Sequence, residues 1–443
     1  MNKEVLKLPN KVENFILFVF SLSCFTGLID RILKFYFNLS YKLFTIFYYS
    51  LLLLAIFVSL VFLIRKYKNL PLVIRELILF VLIYILFSLI YILHPGEPIL
   101  ANILATKDFV LPVTFIFMGL QISIRKYVKI SNYLLLIMLL YATLQEFLSL
   151  SGKLSQYLPW DFIFLQGNPN FFEGGILRYF GTLDSFFDFQ LRIYLFLILL
   201  LVYKNKSIIL RKEKYFFYSN IIFIIFLMAL KPEASPLSMF LIILCTYGLF
   251  FILKIIKDYK AKKLWIKQIF FLIILGIFCC SIIGFMLNHF SGYEVSYQKI
   301  LNIMTGRLMD IQSAQARKVN WGQGLEAANN TLFGYGPAKA AMGTSKLIAD
   351  YIGPHDNFLA LYLSYGIIGF GLFIFLLLYL LYLMIYNLNF SRYDFLMIGI
   401  LIAFVILSKF NLPFIGYNGA LFWLVIGMYT KEKFERYGDS SWK

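Results

Sequence analysis

Residues 354–386 read PHDNFLALYLSYGIIGFGLFIFLLLYLLYLMIY: a Pro-His-Asp-Asn tetrapeptide that opens, at Asn357, an apolar run without one charged side chain. About 20 apolar residues suffice for a helix to cross the hydrocarbon of a bilayer, so this run reads as a membrane span with length to spare. Immediately upstream lies the polar interval 287–357, the longest water-facing segment in a chain otherwise built of apolar runs. It collects arginines, a tryptophan, paired glycines and His355, and it is where chemistry is expected. The rest of the chain reads as a scaffold dissolved in lipid.

The composition agrees. Of 443 residues, 61% are hydrophobic and 14% charged, with a mean hydropathy of +0.79, well outside the soluble globular range. Backbone groups in lipid must be satisfied within the chain, and the apolar runs lack period-2 alternation, which favours helices over a barrel. The expected fold is all-α, a polytopic transmembrane helical bundle of about twelve spans with a large, partly helical extracytoplasmic loop. The spans are read at 14–29, 43–64, 77–93, 109–124, 130–150, 187–203, 215–230, 237–253, 268–287, 357–386, 395–407 and 414–429. This divides the chain into a nine-span membrane part (1–286) with an outer loop at 151–186, the large loop (287–356), and three last spans with a cytoplasmic tail (357–443).

Cytoplasmic loops retain positive charge. With both termini inside, the cytoplasmic segments hold 26 of the 41 Lys and Arg and the outer segments 14, while Arg192 lies within a span. The long loop is thereby placed outside. The net charge of +18 reflects anchoring at lipid headgroups and does not imply nucleic acid. Cys24, Cys245, Cys279 and Cys280 all sit in apolar spans, so neither a disulfide framework nor a zinc site is indicated. The first ten residues lack a cleavable signal pattern, and the first apolar run is expected to stay as a signal anchor. Heavy use of Ile, Phe, Lys, Asn and Tyr points to an AT-rich, bacterial coding sequence. No internal repeat is evident.

Within the long loop, Arg307, Asp310, Ala314, Arg317 and Trp321 fall at helical spacing and share one face. Ala314 leaves room for a ligand between the arginines, although a packed helix uses alanine in the same way. Asn329-Asn330-Thr331, then Gly334-Tyr335-Gly336-Pro337, read as a helix stop and a turn. No strand precedes Gly334 and Gly336, so a dinucleotide-binding loop is not indicated, and a tight turn near the membrane surface is. Charges inside spans need separate explanation, because exposure to hydrocarbon costs about 2.5–3.5 kcal/mol. Glu146 and Arg192 are the clearest cases, lining a polar cavity or pairing with each other. His94 and His289 match no pattern and read as interfacial.

Four segments in order, Arg317-Lys318-Val319-Asn320-Trp321, Leu332-Phe333-Gly334-Tyr335-Gly336, His355-Asp356-Asn357-Phe358 and Tyr365-Gly366-Ile367-Ile368-Gly369, resemble the signature of the bacterial O-antigen ligase and polymerase superfamily. Arg178-Tyr179-Phe180-Gly181-Thr182-Leu183-Asp184 resembles that family's arginine-x-x-glycine-threonine element. The resemblance covers 177–372. Two departures stand out: Asp356 is inserted into the family's histidine-asparagine pair, and Lys231-Pro232-Glu233-Ala234-Ser235 replaces a serine-arginine pair, keeping charge but losing the bidentate fork.

The resemblance implies a donor consisting of a glycan on a polyprenyl pyrophosphate. It makes Arg178 and Arg317, then Arg307, the cations for the diphosphate, since guanidinium donates in a planar fork to phosphate and would stabilise the leaving pyrophosphate. His355 would act as base on an acceptor hydroxyl, with Asp184, Asp188 and Glu173 as alternative bases. Trp321 would stack on a sugar or pack its own helix, and Lys231, Gly334, Gly336 and Asn357 complete the substrate-binding set. The scheme calls for no metal and no cofactor. The expected activity is a glycosyltransferase that polymerises undecaprenyl-pyrophosphate-linked repeat units of O-antigen or capsular polysaccharide at the outer face of the bacterial cytoplasmic membrane, alongside a chain-length regulator and a flippase. The rivals are an O-antigen ligase, which transfers glycan to lipid A core, and a polysaccharide flippase. The flippase reading fits poorly with a chain that lacks repeated halves and has one very long outer loop.

Overall fold

In the computed structural model, apolar runs become helices because a helix satisfies every internal N–H and C=O along its own length. The structure describes residues 8–38, 43–94, 97–167, 172–173, 176–177, 181–183, 185–203, 211–230, 242, 243, 246, 248, 322, 324, 326, 332–340, 356–385, 392–408, 414 and 416–437. Helices follow in the order α1 (Asn10–Leu22), α2 (Thr26–Phe37), α3 (Leu43–Lys66), α4 (Leu72–Ile90), α5 (Ile99–Gly119), α6 (Ile124–Leu150), α7 (Leu154–Tyr157), α8 (Pro159–Gln166), α9 (Phe186–Tyr203), α10 (Arg211–Leu230), α11 (Asn357–Ile385), α12 (Arg392–Leu407) and α13 (Gly416–Tyr437). Between α8 and α9, β1 (Phe172–Glu173) and β2 (Ile176–Leu177) form a two-residue antiparallel pairing. Among the described residues, five helices are long and apolar enough to cross a membrane, or six if α1 and α2 count as one bent span.

Described helices overlap ten of the twelve runs read as spans, and the runs at 237–253 and 268–287 lie outside the described stretches except for isolated positions in the first. Two differences are informative. The run expected at 14–29 is two helices bent by 62° across Ser23–Phe25. The helix expected from Phe109 begins ten residues earlier at Ile99, directly after Pro98, and carries Lys107 and Asp108 within it.

Helix starts are set by local chemistry. Pro71 and Pro98 precede α4 and α5, where a residue without an N–H costs nothing. Asp30 accepts hydrogen bonds from the backbone N–H of Phe44 (2.8 Å) and Thr45 (3.2 Å) in the first turn of α3. Asp356 accepts from the N–H groups of Phe358 (2.8 Å) and Leu359 (3.0 Å), which makes it the N-cap of α11.

The chain forms two compact units: 1–13, 56–122 and 307–443 in one, and 14–55 and 123–306 in the other. In the first, α5 lies against α13 at backbone distance. A Cβ on Gly119 would sit 2.2 Å from Leu424 O and one on Gly427 2.5 Å from Ile116 O, so these small residues permit the close approach. The core beside this contact is aromatic, with Phe404, Phe414, Phe422 and Trp423 in mutual ring contact. At the far end of α13, Lys431 donates to Gln121 O (2.9 Å) and Lys433 to Leu383 O (3.0 Å) and Met384 O (2.9 Å), so two ammonium groups close the C-termini of α5 and α11. In the second unit, α6 lies against α9 and α10, and Asn220 donates to Asn132 O and Oδ1 at 2.9 and 2.8 Å inside it.

Candidate functional site

Gly366 breaks α11. Its φ of 66° and ψ of −166° are non-helical, leaving helical pieces at 357–365 and 367–385. A break strands carbonyl and amide groups that a bilayer cannot hydrate. The stretch 332–336 supplies their partners: Tyr335 N–H donates to Leu363 O (2.7 Å), Gly336 N–H to Ser364 O (3.2 Å), and Ile368 N–H to Leu332 O (3.5 Å). The Tyr91 hydroxyl bridges this joint, donating to Phe333 O and lying 3.3 Å from Tyr365 O. Gly334 and Gly366 both have positive φ, and a Cβ on Gly366 would lie 2.3 Å from Leu332 O, so any other residue would force the two strands of backbone apart.

Polar side chains gather around the joint. His94 stacks on Tyr91 at 5.9 Å and 6° between ring planes, beside Gly336. Asn102 of α5 donates to His94 O at 3.3 Å. Lys339 pairs with Glu97 at 3.6 Å, tying the turn that follows Gly336 to the start of α5. His94 Nδ1, Asn102 Oδ1 and Ser364 Oγ are buried here without a hydrogen-bond partner, as are both amide atoms of Asn357 at the start of α11, nine residues before the break. Native structures leave few such groups unsatisfied, and each one needs a reason. Amide, hydroxyl and imidazole groups of this kind suit a neutral, hydroxyl-bearing ligand or ordered water.

In the second unit, the bend between α1 and α2 is filled in the same manner by the turn 181–183. Thr182 donates through Oγ1 to Cys24 O, and Leu28 N–H donates to Thr182 O at 3.0 Å. Two further side chains, Arg31 and Gln145, clamp the turn. Arg31 donates to Gly181 O and Leu183 O, each at 2.9 Å, and to Asp161 Oδ1 at 2.8 Å. Asp161 Oδ2 accepts from Tyr141 (2.7 Å) and Gln145 (2.6 Å), and Gln145 Oε1 accepts from Gly181 N–H at 2.9 Å. Both charges are buried, at 2% and 0% exposure. Behind the bend, Arg192 of α9 donates to Ser23 Oγ (3.1 Å) and Cys24 Sγ (3.4 Å). Arg192 and Glu146 are both buried.

Of the residues singled out from sequence, Gly334, Gly336 and Asn357 are described, and the first two form the joint with Gly366. Arg178, Lys231, Arg307, Arg317, Trp321 and His355 lie outside the described residues. Asp356, the insertion in the histidine-asparagine pair, is explained as the cap of α11. The sequence reading passed over Tyr91, Asn102 and Arg31. Tyr91 and Asn102 resemble ordinary span-end residues, and only an arginine inside an apolar helix, Arg31, carried a signal that a cost-of-burial argument finds. Among the described residues, no His, Cys, Asp and Glu are grouped as a metal site. Compared with protein-family models and with curated proteins, the chain matches none.

Proposed function

We propose that this membrane protein is a glycosyltransferase that extends polyprenyl-pyrophosphate-linked oligosaccharides on the outer face of the bacterial cytoplasmic membrane. Its architecture is then a twelve-span bundle with both termini inside and the loop 287–356 outside. The observation that carries the reading is the joint. Of two segments picked out for resembling the polymerase and ligase signature, 332–336 is hydrogen-bonded through its backbone to α11 on both sides of the Gly366 break, at Leu363 and Ser364 before it and, within the other segment 365–369, at Ile368 after it. Irregular backbone at a broken membrane helix is tolerated where it is buried in protein or lines a functional cavity. The turn at 181–183, which follows Arg178 by three residues, is held by a buried ion pair and is also part of that signature.

In the proposed reaction, a hydroxyl at the non-reducing end of one lipid-linked repeat attacks the anomeric carbon of the glycan on a second polyprenyl pyrophosphate. The bond from that carbon to the phosphate oxygen breaks, a glycosidic bond forms, and polyprenyl pyrophosphate leaves. His355 takes the hydroxyl proton. Arg178 and Arg317, with Arg307 and Lys231, bind the diphosphate and stabilise the charge that grows on it. Trp321 stacks on a sugar face, while Asn357, whose amide is buried and lacks partners, hydrogen-bonds a sugar hydroxyl. Gly334 and Gly336 hold the turn.

The test is Arg317→Ala in cells that make the polysaccharide. Long-chain glycan is lost while the protein remains in the membrane at normal abundance, and Arg317→Lys restores little because the fork is gone. Normal chain lengths in the alanine variant would remove Arg317 from the mechanism.

A further inference from the structure

The joint has an exposed apolar side that the glycan reading does not use. From Gly366 to Ile385, α11 contains 20 residues, about 30 Å of helix and so about the thickness of the hydrocarbon core. The 19 residues of α4 span nearly the same height, about 29 Å. The two helices are matched at both ends: Tyr379 donates to Val73 O (3.2 Å) and Glu76 (2.8 Å) at one, and Tyr91 meets Phe333 O and Tyr365 O at the other. Between those contacts α11 covers about 21 Å and α4 about 22–27 Å at 1.5 Å per residue, and α11 runs on past Tyr379 to Ile385. The joint then sits at the boundary between hydrocarbon and headgroups. At that level, Leu332 and Phe333 are exposed at 54% and 59%, beside exposed Ile90 and Leu93 at the end of α4 and exposed Ile367 just past the break. Along α4 and α11, Leu86, Phe375 and Leu378 are exposed as well. Behind this surface Tyr91 packs edge-on against Tyr365 and stacks on His94, with both tyrosines buried.

We infer that Leu332 and Phe333 form a membrane anchor, seated in the acyl chains of the outer leaflet, that pins the long loop to the bilayer at the Gly366 break. The occupant of this surface is bilayer lipid. Burying two large apolar side chains there is favourable by the ordinary transfer term, and the carbonyls of both residues already have partners, Leu332 O in Ile368 N–H and Phe333 O in the Tyr91 hydroxyl. The loop 287–356 is therefore not wholly water-facing.

The inference is independent of the glycan reading and is tested on the full chain, with no substrate, in phosphatidylethanolamine–phosphatidylglycerol vesicles. Phe333→Trp adds one indole to the native set. The difference between variant and parent emission should be lost to lipids brominated near the glycerol end of the chain, less to lipids brominated at mid-chain, and spared by aqueous iodide. Leu332→Trp, read in the same way, guards against a local defect in one variant. Added emission that iodide quenches and brominated lipid does not would place the turn in water and overturn the anchor. Emission indifferent to both would mean that protein covers the surface, which also overturns it.

Discussion

Gly366 and Gly371 sit five positions apart in one helix and should respond oppositely to alanine. At Gly366 the residue needs φ of 66°, and a Cβ would meet Leu332 O at 2.3 Å and Gly334 N at 2.5 Å. Backbone strain of this kind costs about 1–3 kcal/mol before any clash, and the joint must open to relieve the clash. Gly371 is helical with nothing within 4 Å of its Cβ position, so alanine there removes a flexible residue and gains about 0.5–1 kcal/mol. Thermal unfolding of the detergent-solubilised protein is expected to show Gly366→Ala melting well below the parent and Gly371→Ala at or slightly above it. Equal melting temperatures would mean that the joint does not hold α11. At the same scale, the sequence marked Gly334 and Gly336 as a turn from their residue type alone. What they turn against depends on Gly366, some thirty residues on, and no local pattern encodes that pairing.

The elements themselves were legible wherever a single physical rule decides them. An uninterrupted apolar run must be a helix in lipid, which is why α3, α4, α6 and α11 appear close to where hydropathy places them. The bend between α1 and α2 was not legible, because Ser23-Cys24-Phe25 contains neither proline nor glycine and its partner is Thr182, 158 residues away. The start of α5 was placed too late because the charged Lys107 and Asp108 interrupt the apolar run, whereas the helix carries them and starts after Pro98. The clamp on the 181–183 turn yields a prediction for these elements. Asp161→Ala would leave the Arg31 guanidinium buried without its carboxylate and strip Tyr141 and Gln145 of their acceptor. Breaking one side of a buried pair costs about 3–5 kcal/mol. Denaturant or thermal unfolding should show a loss of that order, and a variant as stable as the parent would mean that the ion pair does not hold the turn.

For the whole molecule, composition alone establishes a helical membrane protein, and the described helices agree with it. Function was legible only as a resemblance. The residues proposed to do the chemistry are guanidinium and imidazole groups scattered through polar stretches, and hydropathy cannot pair such groups with partners. The structure contributes the convergence of two signature segments at a helix break, a cap that accounts for Asp356, and a set of buried, unpartnered polar atoms beside them. The most direct measurement is a reconstitution: the purified protein in vesicles, supplied with polyprenyl-pyrophosphate-linked repeat units from the same cells, its products separated by size. The account predicts a ladder rising by one repeat per rung, with free polyprenyl pyrophosphate released in step. Recovery of the repeat units at their original length by a folded protein would contradict it.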